Sequence, residues 1–408
     1  MALADTLGDY FGFEEHGTDL RTELVAGLTT FLAMSYIVVV NPGVLAQTDV
    51  NFAAEGTQPA ISPAGYDPGQ VFQMVAIVTI ISAVAATLVM ALYANRPFGQ
   101  APGLGLNAFF AFTVVGAMGI SWQTALAAVV VEGIIFILLT LVGARSYVVE
   151  LFPEPVKLAV GTGIGLFLAL IGLNEMAVVT GEGGTIVALS NVAQSPVALL
   201  SLAGLFLTLM LYARGITGSI VIGIVVTTLA AYGLEAANVA AAGTLTPGNV
   251  PSATYDITPL AGAFVSGIGN VEAAAFSLVV FTFFFVDFFD TAGTLTGVSQ
   301  AAGLLDDEGN LPEMEKPLMA DAVGTTVGGA LGTSTVTTYI ESATGVEEGG
   351  RTGMTALVVA GLFLVSLAFV PLAAAVPLYA SHIALVVVGV IMLRNVGEIL
   401  WEDLTYAI

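Results

Sequence analysis

The sequence contains no cysteine, only 2 histidines and only 8 lysine or arginine residues among its 408 positions. The lack of cysteine excludes disulfides, thiol catalysis and cysteine-ligated metal sites. The lack of basic residues excludes a nucleic-acid-binding protein, which needs a basic surface. Charged residues make up 10% of the chain, against about 25% in soluble domains, and 57% of the residues are hydrophobic. We therefore expect a polytopic membrane protein.

Acidic residues are in large excess, because 31 Asp and Glu give the chain a formal net charge of −23. Most lie in polar connections, for example Asp306, Asp307, Glu308, Glu313 and Glu315. Strong salt screening makes such self-repulsion tolerable, so we predict a halophilic archaeal source, with an acidic mesophile protein as the alternative. The first basic residue is Arg21, so the preceding segment lacks the positive start of a removable signal peptide.

Runs of about 20 mostly apolar residues predict membrane-spanning helices. Twelve spans are expected, near 22–46, 71–94, 103–118, 122–143, 155–177, 196–213, 216–234, 272–298, 318–331, 333–346, 353–375 and 380–394. With the N-terminus inside, all 8 basic residues fall on one side of the membrane. The long connections 47–70, 178–195 and 235–271 on the other side contain none. This asymmetry predicts a multi-pass protein of the cell membrane with a cytosolic N-terminus.

A few carboxylates lie inside the predicted spans, where an ionised group is costly and is a functional candidate by default. They are Glu132, Asp287, Asp290, Asp321 and Glu341. Glu132 stands alone on an apolar helix, and an interhelical hydrogen bond, a gate contact and a transport role all remain open for it. Asp287 and Asp290 are spaced i, i+3 and share a helix face, a pattern that can also chelate magnesium in an intramembrane enzyme. That alternative needs a second acidic motif, which the sequence lacks.

Three predicted spans, 103–118, 318–331 and 333–346, are short and interrupted by Gly or polar residues, and two of them indicate a site. In APGLGLNAFFAF (residues 101–112), Pro and Gly break the helix before Asn107. In GALGTSTVTTYIESATG, the β-branched threonines favour an extended strand that runs into a half-helix at Glu341. Each segment is the third span of its half of the chain. Interrupted segments at corresponding positions of two halves indicate the central site of a transporter.

The motifs together resemble a known family. They are HGTDLRTELVAGLTTFLAMSYIVVVNP, APGLGLNAFFAFTVV, FVDFFDTAGTLTGV and MADAVGTTVGGALGTSTVTTYIESATGVEEGGRTGMTALVV. This set is similar to the adenine/guanine/hypoxanthine permeases, a branch of the xanthine/uracil permease (nucleobase–cation symporter) family. The resemblance runs from about Glu15 to the end of the chain.

The resemblance implies an all-α polytopic fold with an inverted 7+7 transmembrane repeat, a core domain, a gate domain and short strands in spans 3 and 10. The implied divisions are a cytosolic segment (1–21), core (22–145), gate (146–235), an extracellular loop (236–271), core (272–376) and gate (377–408). Since the second group holds only five spans and the chain stops at EILWEDLTYAI, we expect the last two spans to be missing.

The resemblance also implies the site. Its span-8 acid falls on Asp290, its span-10 acid on Glu341 and its polar span-3 residue on Asn107. Carboxylates can accept ring N–H bonds from a purine, and an amide can both donate and accept. The remaining candidates are Tyr339, Phe109 and Phe110 as ring-packing residues, Thr294 at a position where some relatives carry histidine, and Asp321.

The predicted function is import of adenine, guanine or hypoxanthine with protons, by movement of the core against the gate. Glu341 and Asp290 are expected to orient the base and carry the proton, in roles that can be exchanged. Asp321 either hydrogen bonds within the core or joins the proton path. Alternatives are uracil, xanthine or ascorbate as substrate, sodium as coupling ion, a channel or anion transporter, or a metal-dependent enzyme. The expected partners are the base, the proton, the lipid bilayer and a second copy of the chain as a homodimer, with no cofactor and no nucleic acid.

Overall fold

The computed structural model describes residues 2–46, 59–144, 154–181, 187–248, 252–269, 272–306 and 311–398, and these are largely helical. The first half contains α1 (Ala2–Phe11), α2 (Phe13–His16), α3 (Leu20–Met34), α4 (Ile37–Ala46), α5 (Pro68–Val89, continued as a π-helix over Met90–Ala94), β1 (Gln100–Pro102), α6 (Leu104–Ala108, continued as a π-helix over Phe109–Ala117), α7 (Trp122–Leu141), α8 (Glu154–Glu175), β2 (Val179–Thr180), β3 (Ala188–Leu189), α9 (Pro196–Ala213) and α10 (Ser219–Ala236).

The second half begins with a short helix in the long connection and ends in a helical pair. Its elements are α11 (Phe264–Ile268), α12 (Ala273–Ala301), α13 (Glu315–Leu331), β4 (Val336–Thr338), α14 (Ser342–Glu347), α15 (Gly353–Ser366), α16 (Val370–Ala373), α17 (Leu378–Ser381) and α18 (Ile383–Met392). Short 3-10 turns cover Val192–Gln194, Leu367–Phe369 and Leu393–Glu398.

Within the described residues, 7 helical segments are long and apolar enough to cross a membrane. They are Leu20–Ala46, Pro68–Ala94, Trp122–Leu141, Pro196–Ala213, Ser219–Ala236, Ala273–Gln300 and Gly353–Ala373. Shorter apolar helices cover Leu104–Ala117, Ala159–Glu175 and Leu378–Met392. These match ten of the predicted spans, and the other two are α13 and the β4–α14 segment. The prediction of a helical polytopic membrane protein is confirmed.

Local sequence signals explain where several helices begin and end. The side chain of Asp67 accepts from the backbone N–H of Gln70, whose side chain bonds back to Asp67 N, and Pro68 occupies the first turn of α5. Thr352 caps α15, because its hydroxyl accepts from the backbone N–H of Met354. Helix α13 ends at Gly332, whose φ of 113° lies in the region that glycine tolerates, and this turn directs the chain into the threonine-rich segment before β4.

The helices pack in two groups. In one, α13 packs against α5 and α7, while α15 packs against α3 and α5. In the other, α18 packs against α8, α9 and α10, and α9 packs against α10. Close backbone approach joins members of the first group, since a Cβ at Gly329 would lie 3.0 Å from the backbone nitrogen of Val130. Helices α6 and α12 also contact α8 and so link the groups.

The connection between α10 and α12 is fastened at two places. On one side, Glu235 accepts from the backbone N–H groups of Leu245 (2.6 Å) and Thr246 (3.0 Å). On the other side, Gly262 N donates to Ala330 O of α13 at 2.8 Å. Thr124 of α7 also donates to the carbonyl of Gly267, at 3.2 Å. The first part of this connection is therefore held by the second helix group, and residues 254–267 are held by the first.

Some sequence-based predictions fall outside the described residues. These concern Arg145, Asp307, Glu308, the side chain of Lys157 and the segment 399–408.

Candidate functional site

The two interrupted segments meet through a two-stranded antiparallel pair. Strand β1 pairs with β4 in the register Gln100↔Thr338, Ala101↔Thr337 and Pro102↔Val336. The pairing continues beyond both ends, because Gly103 N donates to Thr335 O and Tyr339 N donates to Gly99 O, each at 3.0 Å. All residues of both strands are buried. Extended backbone of this kind is tolerated inside a membrane protein only where it is enclosed by protein or lines a cavity.

A threonine hydroxyl closes the outer edge of each strand. Thr87 of α5 accepts from Gln100 N at 3.0 Å and donates to Gln100 O at 3.2 Å. Thr325 of α13 accepts from Val336 N at 3.2 Å and donates to Val336 O at 3.1 Å. Gln100 and Val336 are the first residues of their strands, so the same device occurs twice. It satisfies edge groups that would otherwise be buried without partners.

The predicted acids lie beside one face of the β4 segment. Residues 335, 337 and 339 point to the same side, because side chains alternate along a strand. The Thr337 hydroxyl lies beside the Asp290 carboxylate of α12. Asp290 lies close enough to Glu341 and Tyr339 for their charges to interact. The structure thus brings together Asp290, Glu341 and Tyr339, and we call the surface formed by Thr335, Thr337 and Tyr339 the site face.

Glu341 has a partner that the sequence interpretation missed. The hydroxyl of Tyr36 donates a hydrogen bond to Glu341 Oε1. Tyr36 is buried at the break between α3 and α4, and its ring centroid lies 6.5 Å from that of Tyr339. Tyr36 lies in the motif LAMSYIVVVNP, but 305 positions separate it from Glu341, so the sequence did not indicate that the two side chains meet.

Tyr339 is fixed by the opposite strand. Its hydroxyl donates to the carbonyl of Pro102 at 2.6 Å, and only 6% of the side chain is exposed. With the hydroxyl proton engaged, Tyr339 can offer a ligand the face or edge of its ring.

Asp321 lies on the other face of β4. Its Oδ1 accepts from Thr338 Oγ1 at 3.0 Å and from Gln100 Nε2. Gln100 Nε2 also donates to Thr338 Oγ1 at 3.1 Å. Asp321 therefore ties both strands to α13, and its role in a proton path stays a prediction. Gln100 was not predicted.

The candidates from the first interrupted segment lie near the start of the β4 segment. Asn107 is fully buried, and its Oδ1 accepts a hydrogen bond from Ser334, while its Nδ2 has no hydrogen-bond partner among the described residues. Phe109 is half-buried and packs edge-on against Phe283 of α12, with ring centroids 4.9 Å apart. Ser334 precedes β4 and Glu341 follows it, so Asn107 and Glu341 contact opposite ends of this strand.

The remaining candidates occupy helices beside the strands. Thr294 is half-buried and lies one helical turn beyond Asp290 in α12. Phe110 is buried at a centroid distance of 6.3 Å from Phe283. Asp287 accepts from Thr291 Oγ1 at 3.2 Å, whereas Asp290 lies beside Thr337.

Two broken helices that meet through buried strands, beside paired acids in a polytopic helical protein, define a membrane transporter. A model of the permease family matches residues 21–407, and the chain belongs to the xanthine/uracil permease family; it is not an enzyme. A permease of Methanocaldococcus jannaschii is 44% identical over 98% of this chain and 85% of its own length.

Relatives with assigned substrates and a solved structure extend the comparison. The adenine permease AdeQ of Escherichia coli is 39% identical, covering 99% of this chain and 84% of that protein. The guanine/hypoxanthine permease PbuG of Bacillus subtilis is 39% identical, covering 98% and 86%. The transmembrane domain of the cyanobacterial bicarbonate transporter BicA matches with a TM-score of 0.65 at 15% identity, covering 92% of this chain and 88% of that domain, and this shows a shared fold.

Proposed function

We propose that this protein imports purine nucleobases by proton-coupled symport. The grouping of Asp290, Glu341 and Tyr339 beside β4 carries the proposal, because it places two acids and an aromatic ring around one face of a buried strand. The names of the adenine and guanine/hypoxanthine permeases to which the chain is similar support purines over uracil, xanthine or ascorbate.

The acids would recognise the base through its ring N–H groups. Carboxylate oxygens accept such bonds strongly, since charge-assisted hydrogen bonds are about twice as strong as neutral ones. Asp290 would be the chief orienting acid and Glu341 the proton-linked ligand, with Tyr36 holding Glu341 in position. The ring of Tyr339 would pack against the flat purine.

Residues near the start of β4 would complete the pocket. Asn107 can present its Nδ2 as a donor, because Ser334 already occupies its oxygen. Phe109 and Thr294 would border the base. Asp321 would fasten the strands rather than carry the proton, since its contacts lie on the face opposite the acids.

The two helix groups support a core that moves against a gate. We propose a core of 22–145 and 272–376 and a gate of 146–235 and 377–408, in an inverted arrangement. The observed packing of α13 with α5 and α7, and of α18 with α8, α9 and α10, agrees with this division. The all-basic side is proposed to face the cytosol of the cell. A homodimer and a halophilic source stay predictions.

The test is uptake of radiolabelled hypoxanthine and adenine into proteoliposomes under an imposed pH gradient, with a sodium gradient as a parallel arm. Asp290→Asn and Glu341→Gln should each lower uptake about 10- to 100-fold, because each removes hydrogen bonds to a charged group. Asp287→Asn is the matched control on the same helix. Normal uptake in both site variants would refute the site, and no purine uptake by the parent would refute the substrate.

A further inference from the structure

One buried acid has no part in the proposed mechanism. Glu132 lies on α7 and is fully buried. The hydroxyl of Thr335 donates to its Oε2 at 3.3 Å. Thr335 directly precedes β4 and is held in the strand pairing through its carbonyl, which accepts from Gly103 N. A carboxyl group of the apolar α7 helix is thus attached to the same segment that carries the purine site.

Glu132 and Asp290 lie beside the same face of this segment. Thr335 contacts Glu132, and Thr337 contacts Asp290. Residues two apart on a strand point to the same side and are separated by about 6–7 Å. The helices that carry the two acids also pack directly, with the rings of Phe136 on α7 and Phe284 on α12 stacked at 4.7 Å. The site face therefore has acids beside Thr335, beside Thr337 and beyond Tyr339.

The groups around Glu132 favour a proton as its occupant. The titratable residues on helices packed against α7 are Asp287 and Asp290 on α12, and Asp321, Glu315 and Lys316 on α13. Lys316 lies at the start of α13 and pairs with Glu313 at 2.6 Å. The other packed elements, α11 and Phe109–Ala117, carry no titratable side chain. Among the described residues, no group of three or more His, Asp or Glu side chains could hold a metal ion. A buried carboxyl group is least costly in its neutral form.

We infer that Glu132 is a second proton-carrying group of the transport cycle, linked to the purine site by the hydroxyls of Thr335 and Thr337. This inference rests on the proposed function. A proton from water on the outer side adds to a carboxylate oxygen of Glu132 and forms the neutral acid, and the same proton returns to water inside. No other bond forms or breaks. Two protons would then accompany each base, one at the purine-binding acids and one at Glu132.

The decisive experiment measures the accumulation of hypoxanthine at equilibrium in proteoliposomes with a pH gradient of one unit. Each coupled proton supports about a tenfold accumulation per pH unit. Glu132→Gln should therefore lower the accumulation ratio about tenfold relative to the parent, while hypoxanthine counterflow without a gradient stays within about twofold. Asp287→Asn, which changes another fully buried acid, should keep the parental accumulation ratio.

A second pair of variants tests the hydroxyl link. Thr335→Val keeps the acid but removes the contact, and should slow gradient-driven uptake without changing the final accumulation ratio. Thr335→Ser should restore the rate. An unchanged accumulation ratio in Glu132→Gln would overturn the inference, and so would loss of counterflow and base binding together in folded protein. If Glu132→Gln does not fold, an unchanged rate in Thr335→Val overturns it. A parent that transports no purine refutes the proposed function instead.

Discussion

The two paired strands, β1 and β4, are held by the same kind of contact, but the side chains around them differ. A threonine hydroxyl from a neighbouring helix closes the first residue of each, Thr87 for β1 and Thr325 for β4. Strand β1 then leads into the apolar segment around Asn107, whereas the hydroxyls of the β4 segment lie beside acids on three different helices. The comparison teaches that the scaffold is repeated, whereas the hydroxyl groups that lie beside acids belong to the β4 copy.

The largest effect, on the free energy of unfolding, is expected at Asp321, which accepts hydrogen bonds from residues of both strands. Asp321→Ala would leave the donors of Gln100 and Thr338 without their acceptor, and buried unsatisfied groups cost about 1–3 kcal/mol each. We expect a loss of about 2–5 kcal/mol in the free energy of unfolding, measured by denaturation in detergent. Asp321→Asn keeps one acceptor oxygen and should lose less. Equal stability of Asp321→Ala and the parent would contradict the assigned contacts.

Variants of Thr87 and Thr325, the threonines that close the strand edges, should lose similar stability but differ in purine binding. Thr87→Val and Thr325→Val each remove both contacts to one backbone N–H and C=O, so each should cost about 1–3 kcal/mol of folding free energy. Only Thr325→Val should also weaken purine binding, because it loosens the strand that carries the site. Thr→Ser variants at both positions are the controls. Equal losses of purine affinity at the two positions would break the contrast between the strands.

A smaller difference, in purine affinity, is expected between variants of Tyr36 and Tyr339. Tyr36→Phe removes a hydrogen bond to a carboxylate, whereas Tyr339→Phe removes one to the carbonyl of Pro102. Bonds to charged groups contribute about 1.5–3 kcal/mol and neutral ones about 0.5–1.5 kcal/mol. We therefore expect Tyr36→Phe to raise the Kd for hypoxanthine more than Tyr339→Phe. The reverse order, measured by equilibrium binding, would show that Tyr36 does not support the site.

The smallest effect concerns an acid in the connection, away from the strands. The side chain and backbone N–H of Thr258 donate to Asp256 and lower the pKa of that carboxyl. Because its pKa is lower folded than unfolded, Asp256 stabilises the fold above the unfolded value of about 3.9. This contribution is lost as pH falls through the folded pKa. Asp256→Asn should thus lower Tm slightly at pH 7 and not at pH 2, while purine uptake at pH 7 stays unchanged.

Much of this architecture was predictable because it rests on local sequence. The β-branched threonines of TSTVTTY predicted the extended segment that the structure contains. The scarce intramembrane acids gave five candidates, and the family resemblance selected Asp290 and Glu341 among them. Contacts between distant segments were not predictable. Tyr36 reaches Glu341 and Gln100 reaches Asp321 across 305 and 221 positions, and no local pattern encodes either pair. The placement of Asn107 beside Ser334 likewise depends on the register of β1 with β4.

The connection between α10 and α12 is bound to one helix group near its start and to the other near its end, so labels on its two parts can measure the distance between the groups. Thr244 lies next to the part bound by Glu235, and Ser266 lies in the part bound to α7 and α13; both are exposed. Fluorescent dyes on cysteines introduced at these two positions would test the proposed movement of core against gate, which predicts a change in energy transfer within single molecules. The chain has 0 native cysteines, so no background thiol would compete for the label.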